Sequence, residues 1–162
     1  MELIRKSLPN MVSMWDGLLG KLKNPLIRLL IRIHAGPEKL RTLQNNIVPM
    51  FTLKMPHMLD GTEDAITRNA QAMILFHADK KSDRYRNDIY IALTYALLKA
   101  HSLGIGATAI DLIPPAIERT PCLKKLFQIP EENEVVASMI LGYAKHKYKR
   151  AIQRKLERVT WI

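Results

Sequence analysis

Residues 83–103 read as one long helix that is apolar on most of its circumference, with Ile89, Ile91, Leu93, Tyr95, Leu97 and Leu98 spread around it. A helix of that kind needs cover on two sides, which makes it the central element of whatever forms around it. Gly104 supplies its stop, because a glycine just past the last turn takes the left-handed cap without steric cost. Three short apolar runs of strand length surround it. Ala72, Met73, Ile74, Leu75 and Phe76 are continuous and end at His77-Ala78-Asp79-Lys80; residues 105–112 form the second run and residues 135–143 (VVASMILGY) the third. Pro114-Pro115 prevents extension of the second strand inside a sheet. Two short helical pieces follow it, at about 115–119 and 121–127.

The first third reads as helices with short breaks. Met11, Trp15, Leu18, Leu19 and Leu22 share one face of a 3.6-residue period. Asn24-Pro25 has the form of an N-cap followed by Pro at the first helical position. The helix it opens sets Leu26, Leu29, Leu30 and Ile33 on one face and Arg28 and Arg32 opposite. A core-facing stripe with solvated arginines is the expectation, ahead of a membrane-surface helix. Ala35-Gly36-Pro37 ends it and starts another, striped with Leu40, Leu43 and Ile47. From 49 to 69 the period weakens, and Pro49, Pro56 and Asp60-Gly61 suggest a connector whose Met50, Met55 and Met58 fill core gaps. The expected fold is one α+β domain over 1–162, or α/β if the strands are parallel. Its parts are a helical stretch over 1–48 and a sheet-containing core with a basic tail over 70–162.

The chain has 162 residues, 48% of them apolar, enough for a buried core and against disorder. Its longest apolar stretch, 89–98, is about half of the roughly 20 residues a membrane-crossing helix needs. The opening MELIRKSLPN has no apolar segment of the signal-peptide kind. A single cysteine, Cys122, excludes an intramolecular disulfide framework, so the expected location is the cytoplasm. The net charge is +10, but residues 145–162 hold seven basic residues against Glu157 alone, so +6 of it lies in the tail.

Familiar catalytic patterns are missing. His34, His57, His77, His101 and His146 have no metal-ligand spacing, and no metal site is expected. His77 and Asp79 would share a strand face, most simply as a satisfied polar pair. Cys122, at a helix start, reads as a half-buried structural thiol rather than a nucleophile. Gly104-Ile105-Gly106 follows a helix and precedes a strand, the reverse of a phosphate cradle, although two glycines allow close approach of a flat ligand.

Several of these pieces carry a family likeness. Ile74-Leu75-Phe76-His77-Ala78-Asp79, Asp88-Ile89-Tyr90-Ile91-Ala92-Leu93 and Ala100-His101-Ser102-Leu103-Gly104-Ile105-Gly106 come first. Ile129-Pro130-Glu131, Glu134-Val135-Val136-Ala137, Leu141-Gly142-Tyr143 and Lys147-Tyr148-Lys149-Arg150 follow in order. Together this stretch resembles the C-terminal half of the nitroreductase family of flavin enzymes, closest to the branch fused to a ferredoxin module. The resemblance implies an α+β fold with a mostly antiparallel sheet flanked by helices, an intertwined homodimer, and FMN at the subunit interface. It implies that Ala109, Ile110, Asp111 and Leu112 lay their backbone against the flavin ring, and that Lys147, Lys149 or Arg150 holds the FMN phosphate. The flavin carries the redox chemistry, so no acid–base dyad is required. The family's Arg-rich N-terminal phosphate motif and its Ser/Asn-containing loop have no counterpart here, Arg5-Lys6-Ser7 being a poor echo. A glycine usual near Asp111 and Leu112 is absent, and with one cysteine no iron–sulfur cluster is expected.

The resemblance thus implies an FMN-dependent oxidoreductase that passes electrons from NAD(P)H or a redox protein to a small acceptor. Two other readings stay open: a non-catalytic nitroreductase-like dimer that binds a partner or another ligand, and a nucleic-acid binder using the basic tail. The tail has few aromatics and no recognised motif, which ranks the nucleic-acid reading last.

Overall fold

The computed structural model describes residues 2–143. Five helical segments come first: α1 (Glu2–Leu22), α2 (Pro25–Ala35), α3 (Pro37–Thr42), a π-helical turn (Leu43–Ile47) and α4 (Val48–Leu59). Then follow β1 (Ala72–Asp79), α5 (Tyr85–Ser102), β2 (Gly106–Ala109), α6 (Ile113–Arg119), α7 (Pro121–Leu126) and β3 (Asn133–Gly142). The sheet is antiparallel in both pairings, in the order β1-β3-β2, so the fold is α+β. The register shifts after Phe76↔Ala137 to His77↔Val135, leaving Val136 as the extra residue of a bulge.

Local signals explain most boundaries. Asn24 Oδ1 accepts from the Leu26 amide at 2.9 Å, with Pro25 at the first position of α2. Gly36 (φ +87°) and Gly104 (φ +71°) take the left-handed conformations at which α2 and α5 end.

The connector expected over 49–69 is corrected: α4 occupies most of it. Pro49 falls in the first turn, where no amide partner is needed, and Pro56 lies within the helix. Phe51, Met55 and Met58 are buried, whereas Met50 is exposed. The second strand is shorter than its apolar run, because the chain leaves the sheet after Ala109.

The sheet separates two apolar clusters. On one face Met11, Trp15, Phe51, Ile66, Ile113, Ile117 and Leu123 pack with Val135 and Ile140. On the other, Ile89, Leu93 and Ala100 of α5 pack with Ala137 and Met139. Among the described residues α5 is covered on one side rather than the two expected: Tyr95 is 71% and Leu98 61% exposed. The stripe of α2 does not face the core either, with Leu26 68% and Ile33 67% exposed. Among the described residues no helix is long and apolar enough to cross a membrane.

Candidate functional site

Among the described residues β2 pairs only with β3 and stands at one edge of the sheet. Beyond it the chain is anchored at three points. The Ile110 amide donates to the Ser138 carbonyl at 3.0 Å, and the buried Ser138 Oγ donates to the Ile110 carbonyl at 2.6 Å. Two residues on, Trp15 Nε1 donates to the Leu112 carbonyl at 3.0 Å. Trp15 is itself fixed by stacking on Phe51, with centroids 5.1 Å apart and 24° between planes. The apolar face of α1 was legible in the sequence, but the use of its indole N–H was not.

These anchors set the direction of the peptide between them. No cis peptide occurs among the described residues. In a trans peptide the C=O and the following N–H point opposite ways. With the Ile110 carbonyl turned inward to Ser138, the Asp111 N–H points outward, and it makes no hydrogen bond among the described residues. Asp111 and Ala109 are exposed, Leu112 is half-buried and Ile110 is buried. Leu112 has φ −81° and ψ −21°, an ordinary right-handed conformation that does not require the missing glycine. The four residues Ala109, Ile110, Asp111 and Leu112 thus form one continuous stretch, while Lys147, Lys149 and Arg150 lie outside the described residues.

One cleft opens along β2 and another at Asp111. The first, of about 690 Å³, is lined by Arg68, Asn69, Gly106, Thr108, Leu141 and Tyr143. Arg68 was not singled out from the sequence. It and Asn69 both have positive φ (54° and 55°), in a turn organised by the Asp64 carboxylate. That carboxylate accepts from the amides of Ile66 (3.1 Å), Thr67 (2.7 Å) and Asn69 (3.0 Å), and from the Thr67 hydroxyl. An Asp ahead of Thr67 and Asn69 was the available signal.

The other cleft, of about 530 Å³, is lined by Arg86, Tyr90, Asp111, Arg119, Glu134 and Val136. Glu134 accepts from Arg86 Nη2 at 2.8 and 2.9 Å and from the Tyr85 hydroxyl. Burial pushes the Glu134 carboxyl up, but Tyr85 and Arg86 outweigh it and hold the group below its ordinary range. The Tyr85 hydroxyl, and then Glu134, push the Arg86 guanidinium up.

The remaining sequence candidates are not brought together. His77 Nδ1 faces Asn133 Nδ2 at 2.8 Å, while Asp79 Oδ1 accepts from the Lys81 amide at 2.8 Å. Cys122 is exposed rather than half-buried. No metal-ligand cluster occurs among the described residues.

A mixed helical and antiparallel fold, whose terminal strand in the described sheet runs into an anchored and exposed stretch, defines the class to which the chain is compared. Residues 31–143 match the model of the nitroreductase family, and the chain belongs to that family. It is similar to a putative NADH dehydrogenase/NAD(P)H nitroreductase of Archaeoglobus fulgidus, 37% identical over 82 residues. That match covers 48% of this chain and 47% of the archaeal protein, so the chain spans about half the length of the curated relative it matches. The crystal structure of a nitroreductase with bound FMN from Bacteroides fragilis has a similar fold, with a TM-score of 0.52 at 19% identity. It covers 65% of this chain and 60% of that one.

Proposed function

We propose that this chain is an FMN-dependent oxidoreductase of nitroreductase type, passing electrons from NAD(P)H or a redox protein to a small acceptor. The observation that carries this reading is the outward Asp111 amide, on an exposed stretch beside a strand of small residues. These residues fit the group. Gly106, Ala107 and Ala109 leave room for a planar ring, and a fixed N–H meets the need of a ring with hydrogen-bond acceptors along its edge. The backbone of Ala109, Ile110, Asp111 and Leu112 would hold the ring, and Lys147, Lys149 or Arg150 the phosphate. Bound FMN supplies the electron transfer, and the chain supplies orientation and electrostatics.

The working unit in this reading is a homodimer. Its support is the uncovered apolar surface of α5, with Tyr95 and Leu98, and the uncovered stripe of α2. A reducing, cytoplasmic setting suits a chain whose single cysteine is exposed.

Turnover tests the reading. Protein loaded with FMN, given NADH or NADPH and a small quinone or nitroaromatic acceptor, should oxidise one reduced nicotinamide per two electrons accepted. Loaded protein that dithionite reduces, but that turns over with neither nicotinamide nor a reduced redox protein, would support the non-catalytic dimer instead.

A further inference from the structure

We propose that Trp15 and Ser138 are positioning residues that together aim the Asp111 amide at the flavin edge; this rests on the FMN reading given above. The two side chains come from distant parts of the chain, one from α1 and one from the central strand β3, yet they act on the same short stretch. Ser138 Oγ holds the carbonyl before Asp111 at 2.6 Å, and Trp15 Nε1 holds the carbonyl after it at 3.0 Å. Each donor is buried, Ser138 at 1% and Trp15 at 5% exposure, and each acceptor is a backbone oxygen at the margin of the exposed stretch.

The geometry exceeds what the core alone demands. A buried indole N–H or hydroxyl needs some acceptor. That need alone does not select which carbonyl each donor meets. Both reach across to the same short stretch after β2. Turning the Ile110 carbonyl inward leaves the Asp111 N–H pointing outward, and the Leu112 carbonyl held by Trp15 pins the far end of the segment. A donor fixed before the ligand arrives costs no ordering when it binds. The stretch contains no glycine, so its orientation comes from these anchors and from the Ile110 side chain sunk in the core.

The variants Trp15→Phe and Ser138→Ala each remove a donor while keeping most of the volume. Leu123→Ala is the control, since it removes buried volume from the same cluster but neither hydrogen bond nor the ring that fixes Trp15. The full chain is studied in two ways: hydrogen exchange over residues 109–113 without FMN, and binding of FMN by fluorescence quenching. Faster exchange over 109–113 in W15F and S138A, with FMN Kd raised about tenfold, is the expected result; about 1.4 kcal/mol corresponds to tenfold. L123A should lower the melting temperature yet leave Kd within about twofold. Unchanged exchange in W15F and S138A would overturn the proposal whatever FMN does, and so would Kd values equal to wild type. An L123A chain that loses FMN affinity as much as the other two would reduce Trp15 and Ser138 to a structural role and overturn it as well. Wild-type protein that takes up no FMN would instead overturn the flavin reading, and this proposal with it.

Discussion

The Glu134 carboxylate bridges to Arg86, its two oxygens 2.8 and 2.9 Å from Nη2, and so ties the start of α5 to the start of β3. The Tyr85 hydroxyl donates to the same carboxylate, and these partners hold its folded pKa below the ordinary value of 4.5. A lowered folded pKa contributes stability that is present above the unfolded pKa and lost as pH falls through the folded one. Wild-type stability should therefore decline on acidification below about pH 4.5, and Glu134→Gln should be less stable at neutral pH with a shallower acid decline. Urea midpoints from pH 7 to pH 3 check this; parallel profiles would contradict it.

Lys124 is almost fully buried, donating to the Asn133 carbonyl at 2.8 Å and pairing with Glu118 at 3.2 Å. Glu118 in turn accepts from the Val135 amide at 2.9 Å, so the pair secures the entry to β3. Lys124→Met keeps the apolar stem but strands a carbonyl and a carboxylate, and should cost about 2 kcal/mol. Thermal unfolding measures it, and an unchanged midpoint would contradict the network's role.

Phe51 is 1% exposed beneath Trp15. Phe51→Ala removes a large side chain from a packed site and should cost about 3–5 kcal/mol. Denaturant titration should show an earlier midpoint with a similar slope. A loss below about 1 kcal/mol would mean that the α1–α4 contact is weak.

The outer face of α5 carries the dimer proposal. A double variant, Tyr95→Glu with Leu98→Glu, alters two residues that are 71% and 61% exposed. Light scattering should give a dimer for wild type and a monomer for the variant, with similar circular dichroism. A wild-type monomer would contradict the homodimer.

Much of this architecture was legible in the residues themselves. Asn24-Pro25, Gly36 and Gly104 marked element ends because each has a local conformational reason to do so, and the runs at 72–76 and 135–143 became β1 and β3. α4 was hidden because Pro49 and Pro56 read as breakers, although a proline in a first turn breaks nothing and a second can be tolerated when Phe51, Met55 and Met58 bury the helix. The uncovered side of α5 could not be read from periodicity, which reports apolar surface but not which chain covers it. At the site, the stretch 109–112 was legible only through resemblance. Its anchoring was not, since Trp15 and Ser138 meet it through sheet order and helix packing, at separations of 97 and 28 residues.

The absorption spectrum of the purified full chain, before and after adding FMN and removing the excess, tests the central claim most directly. The expected result is a yellow protein whose flavin bands are shifted from those of free FMN, with about one FMN released per chain on denaturation. A folded chain that stays colourless after FMN addition would contradict flavin binding and the function built on it.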